Sequence, residues 1–184
     1  SRRSRMTGQI NVNKIAARSG NTITINSGDK ISGAAGSIVA AGMSIQQLHQ
    51  TITTYVGTSS TSLVATGFTL TITPKYASSL IKCTVGFNGF FATQSNTGSR
   101  IELLKNGSSI AYLDDITGYG ISNENPNQGF NPTHVYFDSP NTTSATTYSI
   151  SWFRNGGSGN VYFNNYLTGA NRTRSWFTVE EITQ

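Results

Sequence analysis

The sequence predicts an all-β fold: an antiparallel jelly-roll sandwich of about eight strands, preceded by an extended N-terminal arm. From residue 57 onward, apolar and polar residues alternate in short runs that recur roughly every 8–15 residues, with Gly, Asn and Pro between them. No stretch shows convincing helical periodicity. Hydrophobic residues make up 36% of the chain, which is enough for a core, whereas only 11% of residues are charged. We therefore divide the chain into an arm and linker, residues 1–44, and a β-domain, residues 45–184.

The arm holds few large side chains. Ile10 and Val12 alternate with polar residues, as do Ile23 and Ile25 after a Ser-Gly-Asn turn, which predicts a small strand–turn–strand. Such a hairpin has too few apolar side chains to be stable alone, so we expect it to pair with another chain or another copy. The glycine-rich stretch that follows, residues 28–42, is typical of a linker.

The first segment of the β-domain admits two interpretations. Ile45, Leu48 and Ile52 of MSIQQLHQTITTYVG fit the stripe of an amphipathic helix. However, TITTYV is rich in β-branched residues, which favours a strand over about residues 45–56.

The other strands are predicted at regular spacing along the chain. They are expected in TSLVATGFTLTITP (61–74), in one long strand SLIKCTVGFNGFFAT (79–93), in a hairpin RIELLKNGSSIAYLDD (100–115) that turns at Asn106-Gly107, in HVYFDSP (134–140), in a second hairpin TTYSISWFRNGGSGNVYFNN (146–165), and in RSWFTVEEI (174–182). Residues 114–133 have little periodicity and are expected to form a long loop.

Positive charge is concentrated in the arm. Residues 1–30 hold six of the thirteen Lys/Arg residues and one of the eight Asp/Glu residues, so the formal net charge of +5 lies there and the remainder is neutral. A basic arm on a neutral body is typical of an interaction tail, whose partner is nucleic acid or an acidic protein surface; a solvated terminus is the alternative. The opening SRRSR lacks the aromatic side chains of a single-strand binding surface, so we favour protein over nucleic acid. The docking residues are then Arg2, Arg3, Arg5, Lys14 and Arg18.

The sequence offers no convincing catalytic or metal site, and we expect a non-enzymatic protein without cofactors. Cys83 lies in an alternating strand and is typical of a small buried hydrophobe, so a nucleophilic pair with His49 or His134 is disfavoured. Asp114-Asp115 is either a Ca²⁺ site completed by loop carbonyls or, the favoured interpretation, a pair of solvated turn carboxylates.

Two further motifs have structural interpretations. Of the pair Glu180-Glu181, one carboxylate is expected to face solvent or to pair with Arg172, Arg174 or a neighbouring subunit. The glycine-rich RNGGSGN (154–160) lacks the following helix and the Lys-Ser/Thr ending of a phosphate loop, so we interpret it as a hairpin turn.

Three aromatic residues fall in predicted loops that are rich in Asn: Tyr119, Phe130 and Tyr166. Aromatic rings beside amides are used by saccharide sites, but subunit interfaces also bury such residues, and the interface is the favoured interpretation. No apolar run approaches the roughly 20 residues that span a membrane, so no membrane insertion is expected.

The order and spacing of several motifs resemble one known family. LVATGFTLTITPKYASSLIKCTVGF, SRIELLKNGSSI, VYFDSPNTTSATTYSISWFRNGGSGNVYFNN and WFTVEEI together resemble a domain found in bacteriophage tail-fibre and virion-surface proteins, especially those of cyanophages. The resemblance covers about residues 45–184, and FDSP followed by TTYS and SGNVYFNN carries most of it. It implies a small jelly roll that forms a homotrimer and is joined to the virion by its N-terminal segment.

This resemblance predicts a non-enzymatic structural protein on the virion surface, held to other capsid or tail proteins by its basic arm. The chain has no long shaft or coiled-coil heptads, which leaves two alternatives. It is a terminal fibre or knob for host attachment, with a host surface glycan as a candidate ligand, or it is a capsid decoration (cement) protein that clamps shell subunits.

Overall fold

The computed structural model describes residue 27 and residues 39–94, 96–116, 131–164 and 173–184. Contacts divide the chain into residues 1–34 and 35–184, and nearly all described residues belong to the second unit. The strand–turn–strand predicted around Ile10–Ile25 lies outside the described residues.

The described residues form eleven strands and no helix, which confirms the all-β prediction. The strands are β1 (Ser44–Ile52), β2 (Val56–Thr58), β3 (Val64–Ile72), β4 (Leu80–Gly86), β5 (Phe91–Ala92), β6 (Gly98–Lys105), β7 (Ser108–Ile116), β8 (Thr133–Asp138), β9 (Thr146–Asn155), β10 (Val161–Phe163) and β11 (Ser175–Ile182). The first segment is a strand, as favoured, although it ends at Ile52, earlier than predicted.

Two four-stranded antiparallel sheets make the sandwich. Sheet I has the order β1-β11-β4-β8, and sheet II has the order β3-β9-β6-β7. When these eight long strands alone are counted along the chain, the first pairs with the last, the second with the seventh, the third with the sixth and the fourth with the fifth. This is the pairing of a jelly roll, so the predicted fold class is confirmed. The three short strands form a separate small sheet, β2-β10-β5.

The core lies between the two large sheets and is rich in aromatic rings. Phe163, from the small sheet, is fully buried and lies at the centre of a ring cluster. Its centroid is 5.2 Å from those of Phe87 and Trp152 and 5.9 Å from that of Phe68. Phe68 in turn contacts Phe177 of sheet I across the sandwich, at 6.1 Å. The rings therefore join all three sheets into one core.

The prediction of one long strand over residues 79–93 is wrong, because the strand ends at Gly86. A Cβ on Gly86 would lie 2.6 Å from the Trp176 ring, so this position has no room for a side chain. Phe87 then turns into the core and Gly89 has a positive φ of 59°. The chain continues as β5, which belongs to the small sheet and pairs with β10.

The second predicted hairpin is also wrong. Both edges of β9 are occupied, one by β3 and the other by β6, so β10 cannot pair with β9. Gly156 and Gly157, both with positive φ, carry the chain to the small sheet, where β10 lies between β2 and β5. The first hairpin is confirmed: Asn106 and Gly107 have φ of 49° and 83°, as a two-residue type I′ turn requires.

A buried carboxylate fixes the connection between β3 and β4. Glu181 is fully buried on the inner face of β11. It accepts hydrogen bonds from the backbone N–H groups of Lys75 (2.8 Å) and Tyr76 (3.1 Å), from the Ser79 hydroxyl (2.7 Å), and from the amide of Gln46. Burial alone would raise the pKa of Glu181, but these hydrogen bonds outweigh it and lower the pKa below its ordinary value.

One of the two glutamates faces outward, as expected. Glu180 faces outward but pairs with Lys82, at 3.3 Å, rather than with Arg174. Glu181 is satisfied by hydrogen-bond donors of its own chain and contacts neither solvent nor a cation. Arg172 lies outside the described residues.

We predict that Glu181→Gln destabilises the fold by about 1.5–3 kcal/mol at neutral pH, because an amide cannot accept all the hydrogen bonds that the carboxylate accepts. A depressed pKa stabilises the folded state above the ordinary value of 4.5, and this contribution is lost as the pH falls through the folded-state pKa. The difference from wild type should therefore shrink in acid. Urea denaturation at several pH values measures this, with Glu180→Gln as the control that costs less than about 1 kcal/mol.

Candidate functional site at the loop end

The connections between the described strands differ at the two ends of the sandwich. Ile52 pairs with Ser175, and Gly86 pairs with Trp176 and Thr133, so these residues lie at one end of sheet I. Four long connections leave from or return to this loop end: residues 53–63, 87–97, 117–132 and 156–174. The opposite end, called the base end, carries the shorter connections 73–79, 106–107 and 139–145.

The chain also enters and leaves the sandwich at the base end. Ser44, the first residue of β1, pairs with Ile182, the last residue of β11. The preceding residues are held there, because the Gly42 N–H donates to the Thr183 carbonyl at 2.7 Å and the Thr183 N–H donates to the Met43 carbonyl at 3.0 Å. A chain segment that precedes the β-domain therefore joins it at the end opposite the long connections.

Three parallel aromatic rings lie on the small sheet at the loop end. The Tyr162 ring stacks on Tyr55, with centroids 4.7 Å apart, and on Phe91, with centroids 5.0 Å apart. Gly57 makes this possible, because a Cβ at its position would lie 2.0 Å from Tyr162 Cδ1. Phe91 is buried, whereas Tyr55 is 41% exposed. We call Tyr55, Tyr162 and Phe91 the aromatic stack.

Two tyrosine hydroxyl groups lie at the edge of the aromatic stack. Asn160 donates its amide to the Tyr162 hydroxyl at 2.6 Å. Burial, together with a hydrogen bond to Tyr162, raises the pKa of Tyr55 well above its ordinary value. The surface at this point offers a neutral aromatic ring beside hydroxyl and amide groups, a combination that can stack on an apolar ligand face while bonding polar groups.

A buried hydrogen-bond network connects the backbone segments at the loop end. Asn164 is fully buried, and its amide donates to the carbonyls of Ile52 (2.7 Å) and Thr54 (2.9 Å). Its side-chain oxygen accepts from the Ser175 hydroxyl at 2.7 Å, and that hydroxyl accepts from the Asn88 N–H at 2.9 Å. Together with Ser175, Asn164 thus links three of the four long connections, 53–63, 87–97 and 156–174.

The site residues expected from sequence fall outside the described residues. This holds for the aromatic residues Tyr119, Phe130 and Tyr166 and for the docking residues Arg2, Arg3, Arg5, Lys14 and Arg18. The connection that contains Tyr119 and Phe130 begins after Ile116 and ends before Thr133, both at the loop end. Tyr166 belongs to the connection that starts at Asn164.

Sequence reasoning missed the aromatic stack. The alternation pattern predicts a strand at Tyr55 and a hairpin at Tyr162, and tyrosine is common in both elements. The available signal was Gly57 two residues after Tyr55 in an otherwise β-branched run, since a glycine inside a strand often marks a close approach of another group.

The acidic pair lies in strand β7 rather than in a turn, and Asp115 remains exposed. Asp115 lies in β7, accepts from the Arg100 guanidinium at 2.8 Å and from the Asn155 amide at 2.5 Å, and these hydrogen bonds lower its pKa. Asp114 lies 3.4 Å from His134. Both carboxylates are thus used within the chain, and the described residues contain no cluster of three or more His, Cys, Asp or Glu that could hold a metal ion.

Cys83 is a core residue, as expected. It is buried on the inner face of sheet I, and burial raises the pKa of its thiol far above the ordinary value, with a further contribution from the charge of Asp138. His49 lies on the outer face, where it bonds Thr178 and Thr51. A neutral, buried thiol is a poor nucleophile, so Cys83 has a packing role.

No protein-family model matches the sequence, and no curated protein is significantly similar to it. Within the described ranges, no helix is long and apolar enough to cross a membrane.

We predict that the side-chain bonds of Asn164, rather than its backbone conformation alone, hold the loop end together. Asn164 has a positive φ of 57°, which glycine adopts without strain. Asn164→Gly should therefore remove only the hydrogen bonds and destabilise by about 1–3 kcal/mol, and Asn164→Ala should cost about 1 kcal/mol more. Thermal and urea unfolding measure both. Equal stability of Asn164→Gly and wild type would contradict the role of the network.

Proposed function

We propose that this chain is a non-enzymatic structural protein of a bacteriophage particle: a trimeric jelly-roll fibre or knob on the virion surface, anchored by its basic N-terminal arm and used for host attachment. One observation carries the proposal. The β-domain receives its N-terminal segment at the base end and presents its long connections at the opposite end. A domain that is anchored at one end and binds a ligand at the other needs its anchored segment and its binding loops at opposite ends.

Charge and chemistry support the same function. The net charge of +5 lies in residues 1–30, whereas the β-domain is neutral, so attraction to an acidic partner is concentrated in the arm. At the loop end, the described residues offer an exposed tyrosine with hydroxyl and amide groups rather than a nucleophile with its base. Trimerisation would multiply weak contacts with a repeated host ligand such as a surface glycan.

The alternative function is capsid decoration, which the same arm favours. A basic segment on a neutral body can bridge two acidic shell subunits as readily as it can anchor a fibre. Copy number separates the two functions, and quantitative gel analysis of purified particles measures it: tens of copies support a fibre or knob, and hundreds support a cement protein.

We predict that deleting residues 2–18 leaves a soluble, folded oligomer that no longer attaches to particles. The same loss is expected when Arg2, Arg3, Arg5, Lys14 and Arg18 are all replaced by Gln in the full chain, because the arm then keeps its length but loses its charge. Co-sedimentation with particles that lack the protein measures attachment. If the truncated chain still co-sediments, the arm is not the anchor.

We predict that Tyr55→Ala weakens host attachment at least about fivefold, because truncating a central aromatic contact typically costs more than 1 kcal/mol. Tyr76→Ala is a matched control, since Tyr76 is 43% exposed but lies in the connection 73–79 at the base end. Binding of the labelled protein to host cells measures the effect. If both variants bind equally, the aromatic stack is not part of the attachment site. If only the control variant binds more weakly, the contact lies at the base end.

A further inference from the structure

The two outer faces of the sandwich differ in character. On sheet II, the outer face carries Arg100, paired with Asp115 and lying over the Tyr112 ring, and continues with hydroxyl side chains such as Thr71 and Thr147, which bond each other at 2.8 Å. On sheet I, the outer face carries large apolar side chains. Val135 and Phe137 point outward from β8, and each is 51% exposed.

A second patch, formed by an aromatic pair, lies on the same face of sheet I. Trp176 of β11 covers Gly86 of the neighbouring strand, and its ring lies parallel to that of His49, with centroids 6.5 Å apart. Sheet I therefore offers two different patches: Val135 with Phe137 at its edge strand, and Trp176 with His49 on the two strands farthest from that edge.

The outer face of sheet I has no net charge. Among the described residues, its only charged side chains are Lys82 and Glu180, which pair with each other at 3.3 Å. A face of this kind has nothing to attract a strongly charged partner such as nucleic acid or an acidic shell. It matches a partner surface that is itself neutral and partly apolar, and another copy of the same face meets that requirement.

The edges of the sandwich point to the same partner. On one side, Gln50 of β1 covers the backbone of β3, donating to the Gly67 carbonyl at 3.0 Å and accepting from the Thr69 N–H at 2.8 Å. On the other side, within the described part of the chain, β8 is an edge strand that pairs only with β4. An edge strand that also carries exposed apolar side chains is a site for association.

The position of the base end determines which surfaces of neighbouring copies come into contact. Copies anchored side by side through their N-terminal segments have their base ends together and their loop ends together, so they contact one another through the sides of the sandwich. Sheet I contains both β1 and β11, which adjoin the N-terminal segment and the C-terminus. It is therefore the side closest to a shared anchor.

We propose that the outer face of sheet I is the contact between copies of this chain, with Val135 and Phe137 of one copy packed against Trp176 and His49 of the next. A closed ring requires two different patches on each subunit, because its contacts are heterologous, and sheet I supplies both. This inference rests on the proposed function, since it identifies the face through which the proposed trimer forms.

The test compares charge substitutions on the two outer faces of the full-length chain. Phe137→Glu and Val135→Glu place a carboxylate in the proposed contact, and Tyr112→Glu places one at a 67% exposed ring on sheet II. Sedimentation equilibrium measures the oligomeric state, and circular dichroism measures folding. We expect wild type and Tyr112→Glu to be trimers, and both sheet I variants to be folded and at least about tenfold weaker in association.

The outcomes separate this inference from the proposed function. If the sheet I variants remain trimers as stable as wild type, the contact lies elsewhere, while the proposed trimer stands. If Tyr112→Glu dissociates and the sheet I variants do not, sheet II is the contact and the inference is wrong. If wild type itself is monomeric at virion-like local concentrations, both the inference and the trimeric knob are overturned.

Discussion

The packing of Phe163 is the interaction on which the rest of the domain depends. The small sheet consists of strands of two and three residues, which cannot be stable as an independent element. Phe163 inserts from this sheet into the ring cluster between the two large sheets, and Asn164, the next residue, bonds the surrounding backbone. Phe163 is buried in the core and Asn164 satisfies nearby backbone groups, so these adjacent residues fix long surface connections to the sandwich. The small sheet held in this way positions the aromatic stack.

Three buried polar side chains among the described residues hold separate parts of the sandwich together. At the base end, Asp138 of sheet I accepts from Lys105 Nζ at 3.0 Å and from the Tyr148 hydroxyl at 2.6 Å, both on sheet II. Glu181 holds the connection 73–79 at the same end, and Asn164 joins connections at the loop end. Because removing one partner would leave a buried group unsatisfied, such contacts specify the geometry of the connections more strongly than apolar packing can.

Sequence patterns predicted the strands well because they depend on local alternation, and they failed where the outcome depends on distant partners. The turn at Asn106-Gly107 was predictable, since two positive-φ residues in sequence are a local requirement. The pairing of β10 was not predictable, because it depends on β3 and β6 occupying both edges of β9. The hydrogen-bond partners of Glu181 were not predictable, because they lie about a hundred positions away along the chain. The aromatic stack was hidden for the same reason, since Tyr55 and Tyr162 meet only through β2 and β10.

The separation of the two ends follows from the number of long strands. Each of the eight long strands crosses the sandwich once, so a chain that begins β1 at the base end must finish β11 at the same end. Connections alternate between the two ends. Those at the loop end lie opposite both termini, so they can lengthen without disturbing the termini. Phe87 and Phe163 anchor two of those connections in the core, whereas Glu181 lies at the base end. The exposed parts of the connections tolerate change more readily than packed strands do. In the proposed virion protein, the loop end and its ligand can therefore vary while the anchorage at the base end and the outer face of sheet I stay constant.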